Sequence, residues 1–114
     1  MNTTHRERLL AIPNHSGFLC IPELDIVCCT ADGNYSIIIL RGGETHTITR
    51  TIGRIEKVLD PQIFCRIHQS YIINIREVRQ YYKNPSFRVE LKNGMKFKVA
   101  RKRKTEFLKH FVPL

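Results

Sequence analysis

Apolar and polar positions alternate with a period of two along most of this chain, the spacing of strands that bury one face. Leu9 to Ile12 and Gly17 to Ile21 read as short strands broken by Pro13, Asn14 and Pro22, and Asp25 to Thr30 reads as a third. Asp32-Gly33-Asn34 turns the chain into Tyr35 to Leu40, apolar on both faces and therefore expected to be a covered central strand. After Arg41-Gly42-Gly43-Glu44, β-branched residues alternate with His46 and other polar groups from Thr45 to Arg50. The period then changes. Ile52, Ile55, Val58 and Leu59 recur at three-to-four spacing after Thr51, a capping residue type, and before Asp60-Pro61, which predicts a short amphipathic helix.

Phe64 to Asn74 is expected to be extended, with Arg66, His68 and Ser70 on one side, Ile67 on the other, and Tyr71, Ile72 and Ile73 as an apolar continuation. That places a cation, an imidazole and a hydroxyl on one face, a set suited to a phosphate backbone. Val78 to Tyr82 resumes extended structure and Asn84-Pro85 breaks it. The next hairpin is fixed by register. A two-residue Asn93-Gly94 turn would pair Leu91 with Lys96 and mix apolar with charged faces, whereas a three-residue loop, Lys92-Asn93-Gly94, pairs Leu91 with Met95, Val89 with Phe97 and Phe87 with Val99. The loop requires Gly94 to be left-handed at a bulge. Arg101-Lys102-Arg103-Lys104 then leads into a terminal helix whose inward face is Phe107, Leu108 and Phe111, ended by Pro113.

Charge sharpens this picture. Residues 1–75 carry equal numbers of basic and acidic side chains, while residues 76–114 carry twelve Lys or Arg against three Glu, so the whole formal net charge of +9 sits in the last third. A surplus so concentrated makes the local positive field of a polyanion binder; its structural alternative is a solvated basic surface. The 114 residues suffice for one domain with a real core. No apolar run approaches the roughly 20 residues that span a bilayer, and the N-terminal residues lack the apolar core of a signal peptide, so a cytoplasmic protein without a membrane partner is expected. Cys20, Cys28, Cys29 and Cys65 lie in apolar, strand-like runs and are expected to be reduced.

Neither metal nor catalytic chemistry gains support. Cys65 and His68 are three apart, which on a strand puts them on opposite faces, and no Cys-x-x-Cys pair exists. Ser70 and His68 share a face but lack an orienting carboxylate and a glycine-rich oxyanion turn. The expectation is therefore no enzyme, no metal and no cofactor.

The order of motifs carries a resemblance. Ala31-Asp32-Gly33-Asn34-Tyr35, Thr49-Arg50-Thr51-Ile52, Phe64-x-Arg66-x-His68-x-Ser70-Tyr71-Ile72-Ile73-Asn74, Leu91-Lys92-Asn93-Gly94 and Val99-Ala100-Arg101-Lys102 follow the pattern of the LytTR DNA-binding domain. The chain is similar to the output domain of bacterial LytR/AlgR/AgrA-type response regulators of two-component systems. Residues 9–112 are expected to form the domain, with 1–8 as a basic N-terminal arm or linker remnant. The resemblance implies a mainly β fold, about ten strands in three small antiparallel sheets, with a short side helix and a short C-terminal helix.

It also implies transcriptional regulation through sequence-specific binding of double-stranded promoter DNA, with loops rather than a recognition helix entering successive major grooves. By motif alignment the base contacts fall on Asn34, Gln69 and Arg101. Arg101 suits the O6 and N7 of guanine, and Asn34 and Gln69 suit the N6 and N7 of adenine. Arg66, Ser70, Lys102 and Lys104 are the phosphate partners implied beside them, and His68 and Asn74 are expected to support the binding loop. Two positions depart from the pattern. Thr30 stands where Glu or another polar residue precedes Ala31, and Ala100 stands where Ser is common before Arg101, which removes one hydroxyl anchor of the backbone.

The 114 residues leave no room for a receiver domain, so the expected partners are DNA, a second copy on direct repeats, and a receiver domain or partner protein outside the chain. The chain reads either as an excised output domain or as a regulator made of that domain alone. The alternative reading is an RNA or single-strand binder, which needs exposed aromatics for stacking; most fall on inward faces, leaving Tyr81 and Tyr82.

Overall fold

The computed structural model describes residues 7–114. Residues 1–6 of the expected N-terminal arm lie outside the described residues, while the Arg8 side chain is fastened to Glu23 by two hydrogen bonds of 2.8 Å. The described chain contains ten strands and two short helices. β1 (Leu9–Asn14) and β2 (Gly17–Pro22) form a hairpin; β3 (Ile26–Asp32), β4 (Tyr35–Leu40) and β5 (Thr45–Ile48) follow; then come α1 (Ile52–Val58), β6 (Phe64–His68), β7 (Tyr71–Asn74) and β8 (Val78–Tyr82). β9 (Arg88–Leu91), β10 (Lys96–Lys98) and α2 (Lys104–Leu108) complete it, with 3₁₀ turns at Glu23–Asp25, Ile75–Glu77 and Arg101–Arg103. The strands make three antiparallel sheets: β1-β2, a five-stranded sheet in the order β5-β4-β3-β7-β6, and β10-β9-β8. This is the expected mainly β class.

The five-stranded sheet is the wall between two apolar layers. On one side, Ile12 and Ile21 of the first hairpin and Ile52, Ile55 and Leu59 at α1 pack on Cys29, Ile38, Ile48 and Ile72. On the other, Val89, Leu91 and Phe97 of the three-stranded sheet and Phe107 of α2 pack on Cys28, Cys65, Ile67 and Ile73. β3 is covered on both faces, with Ile26, Val27, Cys28 and Cys29 all buried. A bulge between Ile26 and Cys28 turns Val27 and Cys28 to the same layer.

Several expectations change. Tyr35–Leu40 is not the doubly covered strand: in β4 Ser36, Ile38 and Leu40 are buried while Ile37 and Ile39 are partly exposed. Pro13 lies inside β1, opposite Phe18, because a two-stranded edge tolerates a residue without an amide donor. Thr51 caps α1 as expected, accepting from the Arg54 amide at 3.4 Å, but Val58 is 58% exposed and Leu59 supplies the buried contact. Lastly, Phe64–Asn74 is not one extended segment: β6 and β7 form a hairpin in which His68 pairs with Tyr71, so Ser70 lies in the turn rather than on the Arg66 and His68 face.

The last hairpin has the expected register. Lys96 pairs with Glu90 and Phe97 with Val89, the Leu91 amide donates to the Met95 carbonyl at 2.8 Å, and Gly94 is left-handed at φ +92°. The terminal helix ends at Leu108, earlier than Pro113 would require, with Phe107 buried and Phe111 against the same layer.

Candidate nucleic-acid interface

Three polar turns meet along one edge of the five-stranded sheet. The first joins β3 to β4, where Asp32 pairs with Tyr35 and Gly33 takes φ +62°, leaving Asn34 exposed at the tip. The second joins β6 to β7 and exposes Gln69, with Ser70 half-buried behind it. Thr30 of β3 pairs with Tyr71 of β7, and the Ala31 amide donates to the Ser70 carbonyl at 2.9 Å, so the first two turns are laced side by side. The third is the 3₁₀ turn at Arg101. Its start is held to β6 by a 2.8 Å bond from the Ala100 amide to the Ile67 carbonyl, a backbone anchor where the hydroxyl of a serine is missing. Asn34, Gln69 and Arg101, far apart in sequence, thus share one edge.

The basic run divides by direction. Arg101 and Lys102 are exposed. Arg103 turns inward, with Nη1 3.5 Å from the Arg66 carbonyl, and Lys104 sets its ammonium 4.9 Å from the centre of the Phe87 ring. His68, Lys83, Lys98, Arg101 and Lys104 line an open cleft of about 560 Å³ beside the third turn. Among the described residues no carboxylate lines it. The Arg50 carbonyl accepts from Ser36 Oγ at 2.7 Å at the start of β4, Arg54 lies in the first turn of α1, and both residues line the groove between the first hairpin and α1. Sequence reasoning assigned no role to Lys83, Arg50 or Arg54. The Thr49-Arg50 motif was a signal for Arg50; Lys83 gave none, because only the pairing of β8 with β9 brings it to this edge.

The remaining residues singled out in the sequence are partly or fully buried and bonded within the protein. His68 Nδ1 accepts from the Ser70 amide at 3.1 Å, and its ring stacks on Tyr71 with centroids 4.7 Å apart. Arg66 donates from Nη1 to Glu56 Oε1 at 3.0 Å and from Nη2 to the Gln69 carbonyl at 2.6 Å. It faces α1 rather than solvent. Asn74 is buried at the opposite end of the hairpin, where it donates to the Ile26 carbonyl at 3.0 Å and accepts from the Arg76 amide at 2.9 Å. Tyr81 packs within 5.6 Å of Phe87, Phe107 and Phe111, centroid to centroid, and the Tyr82 hydroxyl donates to Glu90 at 2.6 Å beneath the Arg88 guanidinium. Neither tyrosine is a free stacking platform.

Burial pushes the Cys65 thiol up to about 11, so this side chain acts as a hydrophobe. Among the described residues no group of three or more His, Cys, Asp or Glu side chains is placed to hold a metal ion. No helix of the described chain is long and apolar enough to cross a membrane.

Comparison with known proteins gives a consistent result. A family model described as the LytTr DNA-binding domain matches residues 16–111. The transcriptional regulatory protein LytR of Staphylococcus aureus, in strains N315 and USA300, is 46% identical over 66 residues. That match takes in 55% of this chain and 25% of the regulator's length. A solved LytTr DNA-binding domain from Bacillus cereus has the same fold, with a TM-score of 0.77 over 93% of this chain and 97% of that one at 18% identity.

Proposed function

We propose, because this chain belongs to the LytTr DNA-binding domain family, that it regulates transcription by binding double-stranded DNA in a sequence-dependent way. The observation that carries the reading is the convergence of three exposed polar turns on one edge of a rigid sheet, flanked by cations. Turns of this size fit a major groove about 12 Å wide, and three in a row follow a groove without a recognition helix. In this reading Asn34, Gln69 and Arg101 meet base edges, each contributing about 1–3 kcal/mol of discrimination. Ser70, Lys102 and Lys104 meet phosphates and fix the register, with Arg50, Arg54, Lys83 and Lys98 widening the positive field. His68 stays within the protein and supports the Gln69 turn. Arg66, with both terminal guanidinium nitrogens already engaged, is a poor phosphate partner. A second copy on a direct repeat and a receiver domain or partner protein that supplies the input complete the proposal, and residues 9–112 are its DNA-binding unit.

Selection of duplexes from a random double-stranded pool at near-physiological salt tests this. A short enriched motif, bound far more tightly than scrambled DNA, is expected, and repeats one helical turn apart would indicate two copies. Failure to enrich any duplex, with tighter binding to single-stranded RNA, would transfer the interface to the other nucleic-acid class.

A further inference from the structure

The Gln69-Ser70 turn contains no glycine, and no non-glycine residue among those described takes a positive φ. Its shape is therefore not imposed by a residue with special backbone freedom. Three donors hold it instead: Arg66 Nη2 on the Gln69 carbonyl at 2.6 Å, the Ser70 amide on His68 Nδ1 at 3.1 Å, and the Ala31 amide on the Ser70 carbonyl at 2.9 Å. The last two bonds fix Ser70. The Gln69 carbonyl and the Ser70 amide belong to one planar peptide unit, held at its oxygen by Arg66 and at its nitrogen by His68, and the direction of the Gln69 side chain follows from that plane.

What fixes Arg66 is α1. Its Nη1 donates to Glu56 Oε1 at 3.0 Å, and the helix passes so close that a Cβ on Gly53 would lie 3.8 Å from the same nitrogen. Only 16% of the Arg66 side chain is exposed, and Nε is buried without a partner. A planar guanidinium anchored at one nitrogen holds its other nitrogens in fixed directions. Glu56 also cancels the charge of Arg66, which removes most of its attraction for a phosphate.

We propose that Glu56 and Arg66 form a strut from α1 to the Gln69 carbonyl, and that Glu56, a carboxylate with no role in contacting a polyanion, is a positioning residue for base reading. The strut rests on the DNA-binding reading above. It also makes a prediction about discrimination that simple electrostatics does not. Deleting a negative charge near a DNA-binding edge should raise affinity for every duplex and leave discrimination unchanged. If the strut positions Gln69, the same deletion degrades discrimination.

The test is Glu56→Gln in the full chain, with Arg66→Lys as a second variant that keeps the charge but loses the fork. Both are measured against the selected duplex, against its single base-pair variants and against scrambled DNA. The expected result is a specific-to-scrambled ratio lower by about tenfold, the size of one weakened base contact, with the loss confined to the base pairs under Gln69 and preference under Arg101 retained. Amide exchange at Ser70 in the free proteins, at unchanged global stability, should be faster in both variants. An unchanged ratio, or a loss spread evenly over all positions, would overturn the proposal, as would unchanged Ser70 exchange. Absence of any preferred duplex for the unaltered chain would instead defeat the DNA reading, and the exchange measurement would still decide whether the strut holds the turn.

Discussion

Arg101 and Lys102 are adjacent, both cationic and both exposed, yet they take different tasks in the proposed complex. Arg101→Ala is expected to lose about 1–3 kcal/mol of preference at a single base-pair position in competition titrations. Lys102→Ala is expected to weaken all duplexes alike and to lower the steepness of the log affinity against log salt plot by about 0.9. Equal behaviour of the two variants would make Arg101 another phosphate contact. Glu23 gives a prediction of another kind. Only 2% exposed, its carboxylate is held below the usual range chiefly by the two bonds from Arg8, helped by the Asp60 amide at 2.9 Å, and burial opposes them. A carboxyl lowered in the folded state contributes stability above its unfolded pKa of about 4.3 and loses it as pH falls through the folded value. Glu23→Gln should therefore cost about 1–3 kcal/mol at pH 7 in urea unfolding, a difference that shrinks toward pH 3. At this scale the sequence told residue type but not direction. Arg66 looked like a phosphate ligand because its partner, Glu56, stands ten positions away on a helix that folds back over β6.

Among the elements, the β9-β10 hairpin was legible and the β6-β7 hairpin was not. In the former, two alternating strands flank Asn93-Gly94, and only one loop length keeps the apolar faces together. Asn93 Oδ1 accepts from the Met95 amide at 2.9 Å, and a Cβ added to Gly94 would meet nothing within 4 Å. The cost of Gly94→Ala is then conformational rather than steric, about 1–2 kcal/mol, read as a lower urea midpoint with an unchanged slope. Unaltered stability would refute the left-handed assignment. The β6-β7 reversal hides in the sequence because His-Gln-Ser-Tyr contains no turn-forming glycine, proline or asparagine, and the bonds that close it come from the Arg66 and His68 side chains of β6 and the Ala31 backbone amide of β3. Val58 misled for a related reason: a helix of seven residues has too few turns for periodicity to define its inward face closely.

At the scale of the whole molecule, the three-sheet architecture came from motif resemblance, since period and turn signals locate strands without saying which share a sheet. Nor does the sequence show that three turns separated by some thirty residues each converge on one edge; long-range pairing of β3 with β7 brings two of them together. The two apolar layers on either side of that sheet have a consequence for how the molecule can be watched. Cys28 and Cys29 are neighbours in the chain, fully buried, and committed to different layers. Burial holds both thiols protonated, Cys28 up to about 12 and Cys29 higher still, so a sulfhydryl reagent reacts only when a layer opens. Alkylation read site by site on one peptide fragment thus gives a two-channel record of native-state breathing. Cys28 reports the layer beneath the three-stranded sheet, and Cys29 the layer beneath the first hairpin and α1. Equal rates at the two sulfurs would mean that the protein opens as one cooperative unit, and unequal rates would identify which half lets go first.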